Sequence, residues 1–230
     1  MKRSYSAFFL MLAIVCSVCL VISNILAVKQ FDIHLPWLTL TSTAGLLIFP
    51  LSYIINDCIC EVWGYRNMRL VIWMSFATNL LAVVMFQLSV ALPPSPHWTA
   101  MQEGYAATLA QTPRIMLASL AGFLVGSFLN ALIMSKMKLR QRGRHFWLRA
   151  VVSSLIGEAG DTLVFTCLGF IGVIPIGTVF VIVATETVLK TAYEVLILPV
   201  TTLVVRYVKR RENEDIYDEG ISYNPFSFKG

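Results

Sequence analysis

The sequence predicts an all-α integral membrane protein with six transmembrane helices, and three observations carry that prediction. Hydrophobic residues make up 57% of the 230-residue chain and charged residues only 13%, against roughly 25% charged in a soluble domain. The apolar residues come as uncharged blocks, not as amphipathic stripes: Ala7–Val28, Ile33–Asn56, Leu70–Gln102, Ile115–Ser135, Ala150–Gly157 with Thr162–Thr185, and Val195–Val205. About 20 such residues cross the roughly 30 Å of hydrocarbon in a bilayer. Finally, fifteen of the eighteen Lys and Arg residues fall in alternate connecting segments, the asymmetry that orients membrane proteins.

Taken in order, the blocks place helices at roughly 7–28, 38–58, 69–92, 114–136, 147–170 and 178–206. A β-barrel would alternate apolar and polar residues, and these runs are continuous. The first block follows Lys2 and Arg3 like a signal peptide, but its apolar core is too long and "SNILAVKQ" offers no small-x-small cleavage site. It is expected to be retained. Pro50, mid-span in the second helix, is expected to kink it, and Pro199 invites the same reading in the sixth. An outer loop over 91–114 opens with a proline cluster, and its Trp98 and Tyr105 suit the membrane interface. Arg66 and Arg69, the loop "KMKLRQRGR" and Arg206–Arg211 fall on one side with both termini, which places the termini in the cytoplasm. The basic loop reads as a topology signal, not as a nucleic-acid patch. Residues 1–210 form one membrane domain, and 211–230 a short charged tail expected to be disordered. The five cysteines read as small buried hydrophobes. They form neither a zinc nor a disulfide pattern, so no metal or cofactor is expected.

Function is carried by ionisable residues at depth. Glu158 and Asp161 in "LIGEAGDTLVF" lie three apart and so share one helical face. Gly157 and Gly160 beside them permit close approach of another helix or a ligand. In the sixth span, Glu186, Lys190 and Glu194 are spaced by four on one face. A charge at the bilayer centre costs about 2.5–3.5 kcal/mol, and one ammonium cannot offset four carboxylates. A polar cavity between spans five and six accounts for them better than a single inter-helix pair. Asp57 and Glu61 form a third group, one turn apart, which Arg66 and Arg69 are expected to satisfy. Asn24 lies inside the first span, where hydrogen bonding to another helix is the plainer reading.

The blocks "SNILAVK", "AGLLIFPLSYIINDCICEVWGYRNMR", "TPRIMLASLAGFLVGSFLN", "WLRAVVSSLIGEAGDTLVF" and "LKTAYEVLILP" resemble the vitamin uptake transporter-like family of queuosine precursor transporters. The likeness covers nearly the whole chain. Its D-x-x-x-E-x-x-G and G-E-x-x-D-T motifs take in Asp57, Glu61, Glu158, Asp161 and Thr162. Trp63 stands where the family pattern has tyrosine, which keeps an aromatic. The resemblance implies a six-helix carrier of the bacterial inner membrane. Its fold would be related to the substrate-binding components of energy-coupling-factor transporters. It would import 7-cyano-7-deazaguanine or 7-aminomethyl-7-deazaguanine, with no catalytic residue.

Such a substrate suits the residues, because a guanine-like edge offers two adjacent donors that a carboxylate accepts together. Lys190 would donate to the carbonyl. Glu158, Asp161, Lys190, Glu194, Asp57, Glu61, Asn24, Thr162 and Phe49 are the candidate binding residues, and Phe165 and Tyr193 are further stacking candidates. The expected partners are this solute and the lipid bilayer, with a homo-oligomer left open and no nucleic acid. The competing readings are a carrier, proton-coupled or not, of another vitamin or purine-like solute, and more remotely an intramembrane enzyme. The enzyme reading lacks any histidine at depth, since His34, His97 and His145 all lie in predicted loops.

Overall fold

The computed structural model describes residues 5–35, 38–110, 112–173 and 175–227; the side chains of 33, 35, 38–42, 49 and 50 are not described. Among the described residues five helices are long and apolar enough to cross a membrane. They are α1 (Ala7–Leu26), α2 (Phe49–Ala91), α4 (Pro113–Arg140), α5 (Phe146–Phe170) and α6 (Ile176–Glu212), with a short α3 (Gln102–Leu109) between α2 and α4. Ser6 caps α1 by accepting from the Phe9 N–H at 3.0 Å, and Thr112 caps α4 through Ile115 at 3.4 Å.

The bundle is apolar outside and mixed inside. On α1 the large residues Leu10, Ile14, Val18 and Ile22 are exposed at helical spacing, as are Val181, Val188 and Leu196 on α6. Buried residues, by contrast, include Asp57, Glu61, Arg69, Lys138, Arg149 and Glu194. An apolar exterior is what hydrocarbon solvent selects. The core gathers around Ile55, Cys58, Ile59, Val62, Tyr65 and Ile72 of α2, the helix that α1, α4 and α6 all contact.

Several expectations give way here. The second span does not begin at 38. Residues Gln30–Leu35 and Leu38–Thr43 form an antiparallel hairpin, β1 and β2, with Gln30 opposite Thr43 and Leu35 opposite Leu38. "LTLTST" alternates with period two and is rich in β-branched residues, the pattern of a strand. A 3-10 turn over Ala44–Leu47 then leads into α2. Pro50 therefore lies in the first turn of α2 rather than mid-span, where a missing N–H costs nothing. Pro199 does lie inside α6, and the helix continues through it.

The second correction concerns the connection after the second span. No loop separates 38–58 from 69–92. The chain stays helical for 43 residues except at Gly64, whose φ of 78° and ψ of 174° interrupt the helix. Without such a break α2 would run about 63 Å, twice the hydrocarbon thickness. The third correction is the tail, which is not disordered: residues 213–227 pack against α2 and α4.

Candidate functional site

A cavity of about 140 Å³ opens between α1, α2, α4 and α5, with Lys190 of α6 on its wall. A cavity of about 150 Å³ holds a benzene ring, so a planar heterocycle is within its scale. The polar wall is made by Ser23, Ser52, Tyr53, Asn56, Ser127, Asn130, Glu158, Asp161 and Lys190, and the apolar wall by Leu20, Met68 and Phe123.

The α4–α5 crossing sets the position of the acids. Gly122 and Gly126, one turn apart on α4, face α5. A Cβ on Gly126 would stand 2.6 Å from the Asp161 Cβ and 2.9 Å from the Gly157 carbonyl. A Cβ on Gly157 would meet the Asn130 Cβ at 2.8 Å. Only glycine lets these backbones approach so closely, and the approach brings the Asp161 carboxyl into the cavity. Gly160 is different: its space is filled by the end of the Leu129 side chain.

Within the cavity Lys190 Nζ lies 3.1 Å from Glu158 Oε2 and 3.8 Å from Asp161 Oδ2. The Tyr53 hydroxyl donates to Glu158 Oε1 at 2.9 Å. Both Glu158 oxygens are thereby engaged, while the Asp161 side chain is 33% exposed against 17% for Glu158. Asp161 keeps the greater spare acceptor capacity. Asn130 donates to Ser154 at 3.0 Å, which leaves its carbonyl oxygen, and the Asn56 carbonyl accepts from Cys16 at 3.3 Å, which leaves its NH₂. The cavity thus presents a carboxylate acceptor, an ammonium donor and two amides.

The remaining predicted residues separate into other places. Glu194 is buried behind the cavity wall. One oxygen accepts from Ser154 at 2.6 Å, and the other has no partner among the described residues. Asp57 is equally buried, within electrostatic reach of Glu194, with Oδ2 also unpartnered among the described residues. Glu61 is the centre of an ion cluster at the basic end of the bundle. Arg149 grips it with Nε at 2.9 Å and Nη2 at 2.6 Å, Lys209 lies 2.6 Å away and Lys138 4.0 Å. Arg69, expected to satisfy it, lies beyond the Gly64 break and binds the tail instead. Asn24 donates to Asn79 at 2.9 Å, joining α1 to α2. Thr162 is buried beside Asp161 without lining the cavity. The Phe49 side chain lies outside the described residues. Phe165 packs on Phe170, with ring centroids 5.8 Å apart, and does not line the cavity. Among the described residues no group of three or more His, Cys, Asp or Glu could hold a metal ion.

Sequence reasoning missed Tyr53, Asn56 and Asn130. Each had a signal: a polar residue inside an otherwise apolar span, with Tyr53 one turn before Asp57. The cavity expected between spans five and six does bring Lys190 of α6 to Glu158 and Asp161 of α5, but Glu186 does not line it.

A family model described as "Putative vitamin uptake transporter" matches residues 43–204, 162 of the 230. A curated relative, the "Probable queuosine precursor transporter" of Bacillus subtilis (strain 168), is 24% identical over 180 residues. That covers 78% of this chain and 76% of the relative. No solved structure matches. The family match runs from the turn ahead of α2 into α6 and takes in both acids and the lysine of the cavity. The chain belongs to the vitamin uptake transporter family, a family described as transporters and not as enzymes.

Proposed function

We propose that this protein imports the 7-deazaguanine precursors of queuosine, 7-cyano-7-deazaguanine or 7-aminomethyl-7-deazaguanine, across the bacterial inner membrane. The observation that carries the reading is the cavity about midway along α5, where two carboxylates face one ammonium. The name borne by the Bacillus subtilis relative supports the substrate class. Asp161 accepts the paired N1–H and 2-amino donors, a two-point contact that an ionised carboxylate makes well. Lys190, held in place by Glu158, which Tyr53 in turn steadies, donates to the carbonyl oxygen. Phe123 and the Tyr53 ring supply the faces on which the heterocycle stacks.

The topology belongs to the same reading. Division of α2 at Gly64 into 49–63 and 65–91 makes six spans, with α3 and the hairpin on the outer side. The basic end, with Lys138, Arg149, Lys209 and both termini, faces the cytoplasm. The fold is then of the type seen in energy-coupling-factor substrate-binding components.

The test is direct binding of both precursors to purified wild type, Glu158→Gln, Asp161→Asn and Lys190→Met. The reading expects tight binding by wild type and loss in the variants. Four proteins that bind alike would put the site elsewhere, and a wild type that binds neither compound would refute the substrate.

One observation favours a second reading, a proton-coupled carrier of another vitamin or purine-like solute. Asp57 and Glu194 lie deep in the bundle with an oxygen each unpartnered among the described residues, and such intramembrane acids serve proton relays elsewhere. Uptake that persists unchanged in the presence of an uncoupler would exclude it, and competition by unrelated purines separates the solutes.

A further inference from the structure

We propose that residues 215–226 form a strap closing the seam between α2 and α4 at the basic end, and that the strap leaves its groove in each transport cycle. The starting point is the break at Gly64. In an unbroken helix the Tyr65 N–H would donate to the Glu61 carbonyl, and the Val62 carbonyl would accept from Arg66. The non-helical Gly64 takes these backbone groups out of the ladder, and buried backbone groups require partners. The tail and one lysine supply them. Tyr65 N–H donates to Asp218 Oδ2 at 2.7 Å, Ile216 N–H donates to the Val62 carbonyl at 2.9 Å, and Lys138 Nζ donates to the Glu61 carbonyl at 2.5 Å.

Asp218 is the deep anchor. It is 5% exposed and also accepts from the Ser135 hydroxyl of α4 at 2.5 Å. A Cβ on Gly64 would lie 2.6 Å from its Oδ1, so the glycine gives both the positive φ and the room. Beyond Asp218 the tail follows one face of α2. Tyr65, Arg69 and Trp73, each one turn from the next, donate respectively to the carbonyls of Tyr223 at 2.9 Å, Asn224 at 2.9 Å and Pro225 at 2.9 Å. On the other side Lys136 of α4 lies over the Tyr223 ring at 5.2 Å.

The groove is one side-chain layer from the cavity. Met68, between Tyr65 and Arg69 on α2, lines the cavity, and Trp73 packs on Phe226 of the tail and on Phe128 of α4, next to cavity-lining Ser127. A solute leaving toward the basic end by parting α2 from α4 would meet the strap next. The strap is also built to come off. Of residues 215–226 Asp218 alone is buried and none lies in a helix or strand. Beyond the Asp215 ion pairs with Lys138 and Lys209 the segment holds on by part-buried hydrogen bonds and half-exposed rings, with Phe226 71% exposed, the character of segments that open before the rest of a fold. Its release removes two partners of the broken helix, so the strap and the α2 hinge move as one two-state element.

The first test needs no substrate. Cys60 lies buried in this seam, its Sγ 3.6 Å from the Ala131 carbonyl. Maleimide labelling of Cys60, followed by peptide mass spectrometry, is compared for wild type, for a chain ending at Asn213, and for Asp218→Asn in case the truncated chain folds poorly. The expected result is at least tenfold faster labelling in either variant. Wild-type rates in a folded variant would overturn the proposal.

The second test rests on the proposed function. Lys136→Cys with Tyr223→Cys is joined by a reducible bifunctional thiol reagent. Precursor binding in detergent should survive, while uptake into liposomes falls at least tenfold and returns on reduction. Uptake at the uncross-linked rate would make the strap a static brace and end the proposal. If wild type binds no precursor, the substrate reading fails and the Cys60 rates alone decide the strap.

Discussion

Replacing Asp161 by asparagine removes one charge and one pair of acceptor lone pairs while leaving the shape of the cavity intact, and it separates binding from folding. Lys190 is 3.8 Å from Asp161 and 3.1 Å from Glu158. At an effective dielectric of about 20, those distances correspond to roughly 4 and 5 kcal/mol of gross Coulomb attraction. The variant keeps the stronger partner, so Lys190 stays neutralised and thermal unfolding in detergent should shift little. The ligand fares differently. Two donors meet a carboxylate in the wild type, and in the variant one of them meets an NH₂. A hydrogen bond to a charged group contributes about 1.5–3 kcal/mol, and an unpaired buried donor costs a similar amount. A net loss near 3 kcal/mol is roughly a hundredfold in Kd. Equilibrium binding of either precursor measures it. A Kd within threefold of wild type, with the protein folded, would refute Asp161 as the acid that reads the base.

Three further outcomes follow from the geometry. Glu61→Gln leaves Arg149, Lys209 and Lys138 without their shared carboxylate at 1% exposure, which should cost about 3–5 kcal/mol and lower the melting temperature in detergent; an unchanged melting temperature would remove the cluster from the fold's supports. Gly126→Ala places a methyl against the backbone of α5 and should cost about 1–3 kcal/mol and weaken binding. Gly160→Ala meets only the end of Leu129 and should be near neutral in both assays, so equal damage from the two would contradict the crossing described here. Asp215 supplies the pH dependence. Partial burial opposes its ionisation, but hydrogen bonds from Lys138 of α4 and Lys209 of α6 outweigh that and hold its carboxyl below the usual 3.8, with Glu61 of α2 sharing both cations. A depressed carboxylate stabilises the tail above its unfolded value and loses that contribution as pH falls through the folded one. Proteolysis of the tail should therefore be pH-independent near neutrality and accelerate only below about pH 4; acceleration near pH 6 would assign the effect to another group.

Much of the membrane character lay open in the sequence, because uncharged blocks of sufficient length have one stable solution in hydrocarbon, a helix whose backbone is satisfied within itself. The start of four of the long helices and the importance of Glu158, Asp161 and Lys190 followed from the same reasoning, since a charge among apolar neighbours stands out. The hairpin over 30–43 was legible too, in the alternation of "LTLTST", but hydropathy averaged over a window hides a period of two. Composition alone suggested that the tail was free. "RRENEDIYDEGISYNPFSFKG" looks like a solvated segment until the break at Gly64 supplies backbone groups, the Tyr65 N–H and the Val62 carbonyl, that its Asp218 and Ile216 satisfy.

The sequence by itself therefore determined which segments are apolar enough to form long helices, the start and division of the second apart, and that five ionisable residues sit well inside the last two of them. It could not determine how those residues pair. Lys190 is one turn from Glu186 and from Glu194 on its own helix, yet it is bound by Glu158 and Asp161 of α5. Glu61 is met by cations from α4, α5 and α6 that lie 77, 88 and 148 residues away along the chain. Helical spacing says which side chains share a face. What faces them depends on the crossing of α4 and α5 at Gly126 and Gly157 and on the break in α2 at Gly64, and those are decided by tertiary packing.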